Sequence, residues 1–390
     1  MTIGLLAAVG FWYFDFSRTP AALARARALA DSSYWEDAGK QLRSYLRYHS
    51  DDPDAVLVMA RVCGATERPQ EALEWTSRIS QQHSLYPQSL YQKGDYWRMC
   101  FRLRNAEEAW RDCIERATAV SNIRLAHQAR TKLAELCSFQ QRKAEAASLL
   151  WEVYPDHPTP WRVLKGLLAL DFSQPPLKDA LRDLRGFVEA DPSDYFSRRV
   201  LARKLAEDGQ HEEGKQRLEQ CVQERPDDLQ AWTDLLWIAL EQHELEDAQG
   251  VVGRLPSAAH TSAKLWHLRG RLCSDQNRLE ESVACLNEAV RINPYQWESF
   301  YLLARVRQRL GQAEQAAEAL ARFSTLKRAF ENTSERYREL TDLDDDPRTF
   351  PESALCRKLG EGCLALGDEK LAEAWFLEAQ RPRGAIERAR

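Results

Sequence analysis

Residues 266–294 read WHLRGRLCSDQNRLEESVACLNEAVRINP, two amphipathic stretches joined by a turn around Asn277 and closed by Pro294. In the first stretch Trp266, Arg269, Gly270 and Cys273 fall at i, i+3, i+4 and i+7. In the second, Ser282, Leu286 and Ala289 fall at i, i+4 and i+7, and both spacings place the residues on one helix face. Pro294 ends the second helix because its ring lacks an N–H.

The pattern recurs. Gly209, His243, Asn277 and Gly311 are spaced by 34 residues, each between two amphipathic stretches, which marks a tandem array. A small-residue column runs in the same register through Gly214, Ala248, Ser282 and Ala316, where two helices must approach closely. Two apolar columns follow it: Leu218, Val252, Leu286 and Leu320, then Cys221, Leu255, Ala289 and Phe323. First helices carry their own stripes at Trp232, Leu235, Leu236 and Ala239 and at Phe300, Leu303, Ala304 and Arg307, and Pro226 closes a unit as Pro294 does. Looser copies stand at Ala38, Leu42 and Tyr45, at Ala72, Thr76 and Ile79, at Ala106, Trp110 and Cys113, and at Ala146, Leu150 and Val153. Another, at Ala180, Leu184, Phe187 and Pro192, follows an insertion around Pro175 and Pro176, which marks a softer joint near 171–176. A last unit is carried by Leu359, Gly360, Cys363, Gly367, Ala372, Phe376 and Ala379.

Trp266, Gly270, Ser282, Leu286, Ala289 and Pro294 match, with Ser for Ala, the signature of the tetratricopeptide repeat, and the chain resembles that family. The resemblance implies an all-α fold: a right-handed α-solenoid of about nine or ten helix-turn-helix units, each burying its apolar face against its neighbours. It also implies a concave groove lined by first helices, where members of the family hold peptides or partner proteins. In family register the groove-facing positions are Arg199 and Arg203, Thr233 and Trp237, His267 and Arg271, Tyr301 and Arg305, and Arg357. Guanidinium forks bind carboxylates bidentately, so this set suits an acidic segment or a C-terminal carboxylate. The Lys/Asn clamp of chaperone-binding members is absent from these positions, which disfavours chaperone tails. Reversing Arg203 and Arg271 to Glu is expected to abolish partner capture without changing the melting temperature.

Gly311 and Gly367 lie 56 residues apart, 22 more than one period. The surplus falls at about residues 325–350, which read as a prolonged helix followed by the acidic loop TDLDDDPRTFP. The expected organisation is therefore an apolar segment over 1–19, an array over 20–324, the insertion over 325–350, a C-terminal unit over 351–382 and a tail over 383–390. Asp342, Asp344 and Asp346 begin like a calcium loop, but Pro347 and Ser353 replace the turn glycine and the bidentate glutamate.

Ile3–Phe14 (IGLLAAVGFWYF) is an uncharged apolar run ending in four aromatics, which suit a membrane interface. Its twelve residues span about 18 Å as a helix, against about 30 Å of hydrocarbon, so the run reads as the end of a single anchor or as an apolar helix over the first repeat. The expected location is membrane-associated with a soluble repeat domain, the alternative cytoplasmic. A net charge of −5 argues against bulk electrostatic binding of nucleic acid. The nine cysteines form no CxxC pair, and Cys63, Cys137, Cys273 and Cys363 share one column, which points to buried apolar side chains. No P-loop, G-x-S-x-G, G-x-G-x-x-G or H-x-x-x-H string occurs, so neither a catalytic site nor a cofactor or metal site is expected. These observations lead to a non-enzymatic scaffold that binds a protein or peptide in its groove. The alternative is a regulatory or metal-dependent catalytic subunit acting through 325–350.

Overall fold

A computed structural model of the chain describes residues 19–343 and 350–381. Over these, twenty α-helices follow one another with no strand. They come in ten consecutive pairs. The first five are α1 (Pro20–Asp31) with α2 (Trp35–Leu46), α3 (Pro53–Ala65) with α4 (Pro69–Thr76), α5 (Tyr86–Met99) with α6 (Leu103–Ala119), α7 (Ile123–Phe139) with α8 (Lys143–Val153), and α9 (Pro160–Phe172) with α10 (Leu177–Ala190). The last five are α11 (Tyr195–Glu207) with α12 (His211–Glu224), α13 (Leu229–Glu241) with α14 (Leu245–Arg254), α15 (Ala263–Asp275) with α16 (Leu279–Ile292), α17 (Trp297–Arg309) with α18 (Ala313–Thr341), and α19 (Ser353–Ala365) with α20 (Glu369–Gln380).

The described residues divide into two compact units: residues up to Val153 with Gly186–Asp194, and Tyr154–Arg185 with the residues from Tyr195 onward. In the first, each helix from α1 to α8 packs on the next; in the second, the same holds from α11 to α20. Helices of a pair meet at the small-residue columns, except α9 and α10, which make little contact with one another. A Cβ on Gly270 would lie 2.7 Å from Leu286 Cγ, and Ser282 Oγ donates to the Gly270 carbonyl at 2.7 Å. Gly94 faces the Trp110 ring and Gly360 the Phe376 ring in the same way. Leu in place of Gly270 is therefore expected to destabilise the second unit by about 1–3 kcal/mol through overpacking, read as a lower urea midpoint. An unchanged midpoint would mean that α15 and α16 do not meet here.

The turn column has a backbone reason. Gly209, His243, Asn277, Gly311 and Gly367 all hold φ between 57° and 86°, the left-handed conformation that ends a helix by a tight turn. The following amide then reaches back to close it, as Arg278 N donates to Cys273 O at 2.8 Å and Glu244 N to Ala239 O at 2.9 Å. Ser33, Glu67, Phe101 and Gln141 hold the same conformation in the first unit. Thirty-four residues before Gly209 stands Pro175, whose ring fixes φ near −65° and forbids that turn. Residues 173–176 accordingly lie outside any helix, and α9 packs against α18 and α20. Trp161 and Leu164 of α9 are buried there, and the Phe172 ring lies 5.1 Å from Phe330 and 6.0 Å from Tyr337.

Helix α18 runs for 29 residues. Its sheltered stripe passes through Ala319, Phe323, Leu326, Phe330, Thr333, Tyr337 and Leu340, alternating steps of four and three. That corrects the apolar column at one position: Leu320 is 48% exposed, whereas Leu218 and Leu286 are fully buried. Leu286 clusters with Leu303, Ala304 and Val306 of the next first helix, and after α18 the next first helix begins only at Ser353. The run Ile3–Phe14 and the acidic residues Asp344 and Asp346 lie outside the described residues. Among the described residues no helix is long and apolar enough to cross a membrane, and no three metal-ligating side chains gather.

Candidate partner-binding face

The sequence-derived face is built in the second unit by the first helices α11, α13, α15 and α17. Arg199 is only 4% exposed, and its Nη1 donates to Asp228 Oδ2 at 3.0 Å. Asp228 in turn caps α13 by accepting from Gln230 N at 2.9 Å and takes the Tyr195 hydroxyl at 2.7 Å. Arg203 donates through Nε to Glu207 at 2.9 Å and through Nη1 to Asp234 at 3.3 Å, and its guanidinium lies 3.5 Å from the centre of the Trp237 ring. Asp234 is buried, accepts from Gln230 Nε2 at 3.0 Å, and has its carboxyl pushed up by burial, against which Arg203 works. Arg271 donates to Glu241 at 2.6 Å and to the Leu240 carbonyl at 3.3 Å. Thr233, also buried, turns its hydroxyl back to the Leu229 carbonyl at 2.7 Å.

Three of the five arginines are thus committed to carboxylates of the chain itself. Sequence reading missed those carboxylates, although a signal was present. Arg203 and Glu207 are i, i+4 neighbours, while Asp234 follows Arg203 by 31 residues and Arg271 follows Glu241 by 30, close to one period. The expected harmless reversal of Arg203 needs correcting on this ground. A glutamate there would leave the buried Asp234 without its countercharge and add a second negative charge beside it.

His267 is mostly buried, with Nδ1 3.1 Å from Ser299 Oγ. Burial, helped by the positive charge of Arg271, lowers its pKa from 6.5 to about 4 and keeps the ring neutral. Tyr301 is 43% exposed and packs its ring 5.1 Å from Phe323. Arg305 lies over that ring at 5.8 Å. Arg305 makes no ion pair among the described residues, and the exposed Arg357 on α19 makes none either. The structure therefore brings together Arg203 with Trp237, His267 with Ser299, and Tyr301 with Arg305.

The cysteines behave as small apolar side chains. Cys63, Cys113, Cys137, Cys221, Cys273, Cys356 and Cys363 are buried, and burial pushes the Cys63 and Cys137 thiols up to about 12, far from a reactive thiolate.

Two family models, both described as tetratricopeptide repeat, match residues 205–272 and 263–296. No curated protein matches the chain. Among solved structures, MamA from Desulfovibrio magneticus RS-1 is 19% identical, with 45% of this chain and 98% of that one covered and a TM-score of 0.35. A monomeric IFIT1 mutant with Gppp-AAAA is 14% identical, with 84% and 90% covered and a TM-score of 0.38. The 34-residue period, the close helix pairs at its small columns and the two repeat matches mark residues 205–296 as tetratricopeptide repeats.

Proposed function

We propose that the chain is a non-enzymatic scaffold that holds a segment of a partner protein against the first helices of residues 195–309. The observation that carries this reading is the pairing of an exposed aromatic with a cation that has no carboxylate partner among the described residues, Tyr301 beneath Arg305. Aromatic rings and arginine are the side chains that contribute most at protein interfaces. On α13 the Trp237 ring, capped by Arg203, offers a second aromatic–cation pair. An acidic partner segment fits best, because it supplies the countercharge for Arg305, and Arg357 offers a second site for one. Arg199, Arg203 and His267 act in this reading by shaping the face, and Arg271 is already held by Glu241.

The test is affinity capture from source cells with the parent chain and a Tyr301→Ser/Arg305→Glu variant. Both positions are exposed, so the variant is expected to keep its melting temperature and to lose the partners that the parent retains. An identical set of captured proteins would overturn the reading. The tether belongs to the same proposal, resting on the apolar run Ile3–Phe14. The full chain is expected to float with liposomes, and a chain beginning at Thr19 to remain behind; co-flotation of both would remove the tether.

A further inference from the structure

A cavity of about 270 Å³ opens in the first unit, between α2 and the C-terminal end of α3. Its floor is Gly39, an interior helix position where glycine is disfavoured unless its missing side chain serves a purpose. At Gly64, Gly94, Gly270 and Gly360 that purpose is packing, since each gives its Cβ space to a ring or a leucine. At Gly39 a Cβ would meet Val62 Cγ1 at 3.3 Å, a tight contact, and the far end of the Arg43 side chain at 3.7 Å. Gly39 lines the hollow together with the apolar side chains of Trp35 and Val62, and has no side chain of its own to fill it.

The rim is cationic and only partly spent. Arg43 is exposed and makes no hydrogen bond or ion pair among the described residues. Lys40 reaches Asp37 only at 3.5 Å, with both side chains largely in solvent. Arg68 is fixed in place, donating to Thr66 Oγ1 at 3.1 and 3.0 Å and to Glu71 at 2.6 Å. Against these three cations the lining holds one carboxylate, Glu36. A hollow with an aromatic wall, a glycine floor and an unpaired guanidinium at its mouth suits a flat body carrying a negative head.

We infer that this cavity binds a small organic oxyanion, a carboxylate or phosphate monoester on a compact flat body. Its oxygens take Arg43 and Lys40, and its body lies between Trp35 and Val62 over Gly39. The site lies in the first unit and is independent of the partner face proposed above.

Calorimetric titration of the full chain with benzoate, phenyl phosphate and the neutral benzamide, at constant ionic strength, tests it. One or both anions are expected to bind and to raise the melting temperature, while benzamide does neither; the tighter anion identifies the head group. Arg43→Gln is expected to keep the ligand-free melting temperature and to weaken binding about tenfold or more, as loss of a charged hydrogen bond does. Gly39→Ala, which sets a methyl on the floor, should weaken binding as well. Benzamide binding as tightly as the anions, a parent-like titration of Arg43→Gln, or no binding of either anion at millimolar concentration would overturn the site.

Discussion

Trp110→Ala is expected to lower the stability of the first unit by about 3–5 kcal/mol, the range for emptying the site of a large buried aromatic. Trp110 is fully buried, and its Nε1 donates to the Tyr91 carbonyl of α5 at 3.2 Å. Its ring occupies the space that Gly94 leaves vacant, so the loss combines a cavity, a hydrogen bond and the contact between α5 and α6. Urea unfolding of parent and variant measures it. A complementary variant sharpens the test. Gly94→Ala should be destabilising while the tryptophan is present but tolerated once Trp110→Ala has removed the ring, so the two changes should couple favourably in the double variant. Additive effects would show that Gly94 is not there to make room for the ring.

The second large effect concerns pH. His267 has its pKa lowered from 6.5 to about 4 in the folded chain, so the fold favours the neutral ring. Its contribution to stability is complete above pH 6.5 and is lost as the pH falls through the window towards 4, because the unfolded chain takes up the proton first. Between pH 7 and pH 5 this amounts to about 2 kcal/mol. Asp234 acts in the opposite sense. Burial raises its carboxyl, so its protonated form is favoured in the fold and its contribution is lost as the pH rises. The His267 contribution is therefore read as a difference between proteins. His267→Gln keeps a side chain able to meet Ser299 but has no ring to protonate, and the parent should lose about 2 kcal/mol more than the variant on going from pH 7 to pH 5. Parallel losses in the two proteins would exclude His267 as the group responsible.

Much of the fold was legible because each repeat writes its contacts within about one period. Gly270, Ser282 and Leu286 lie close to the bend at Asn277, and their spacing alone states that two helices meet there. The left-handed turn was legible as a column of glycine, asparagine and histidine. It also has a non-glycine continuation at Glu67 and Phe101 that only the backbone angles display. Leu320 was misplaced because its burial depends on the helix that comes next, and the 22 surplus residues move that helix along α18. The candidate face was legible as positions and not as chemistry. Arg199 and Arg305 look alike in the sequence, yet one is buried against Asp228 and the other lies on an exposed tyrosine.

The repeat, its period and the residues at which paired helices touch follow from the order of amino acids alone. All of these rest on local spacings of three, four and seven residues and on a turn that tolerates few side chains. Which arginines are taken up by internal carboxylates, where a hollow is left beside Gly39, and that α9 packs on α18 and α20 emerge only in the folded chain. The last of these joins Phe172 to Phe330 across 158 residues of chain. Pro175 shows that the expected turn is forbidden, but the surface α9 then covers is set by shape and apolar area brought together from distant segments. A charge or an aromatic ring carries no periodic mark of its partner, so its role is settled only when those segments meet.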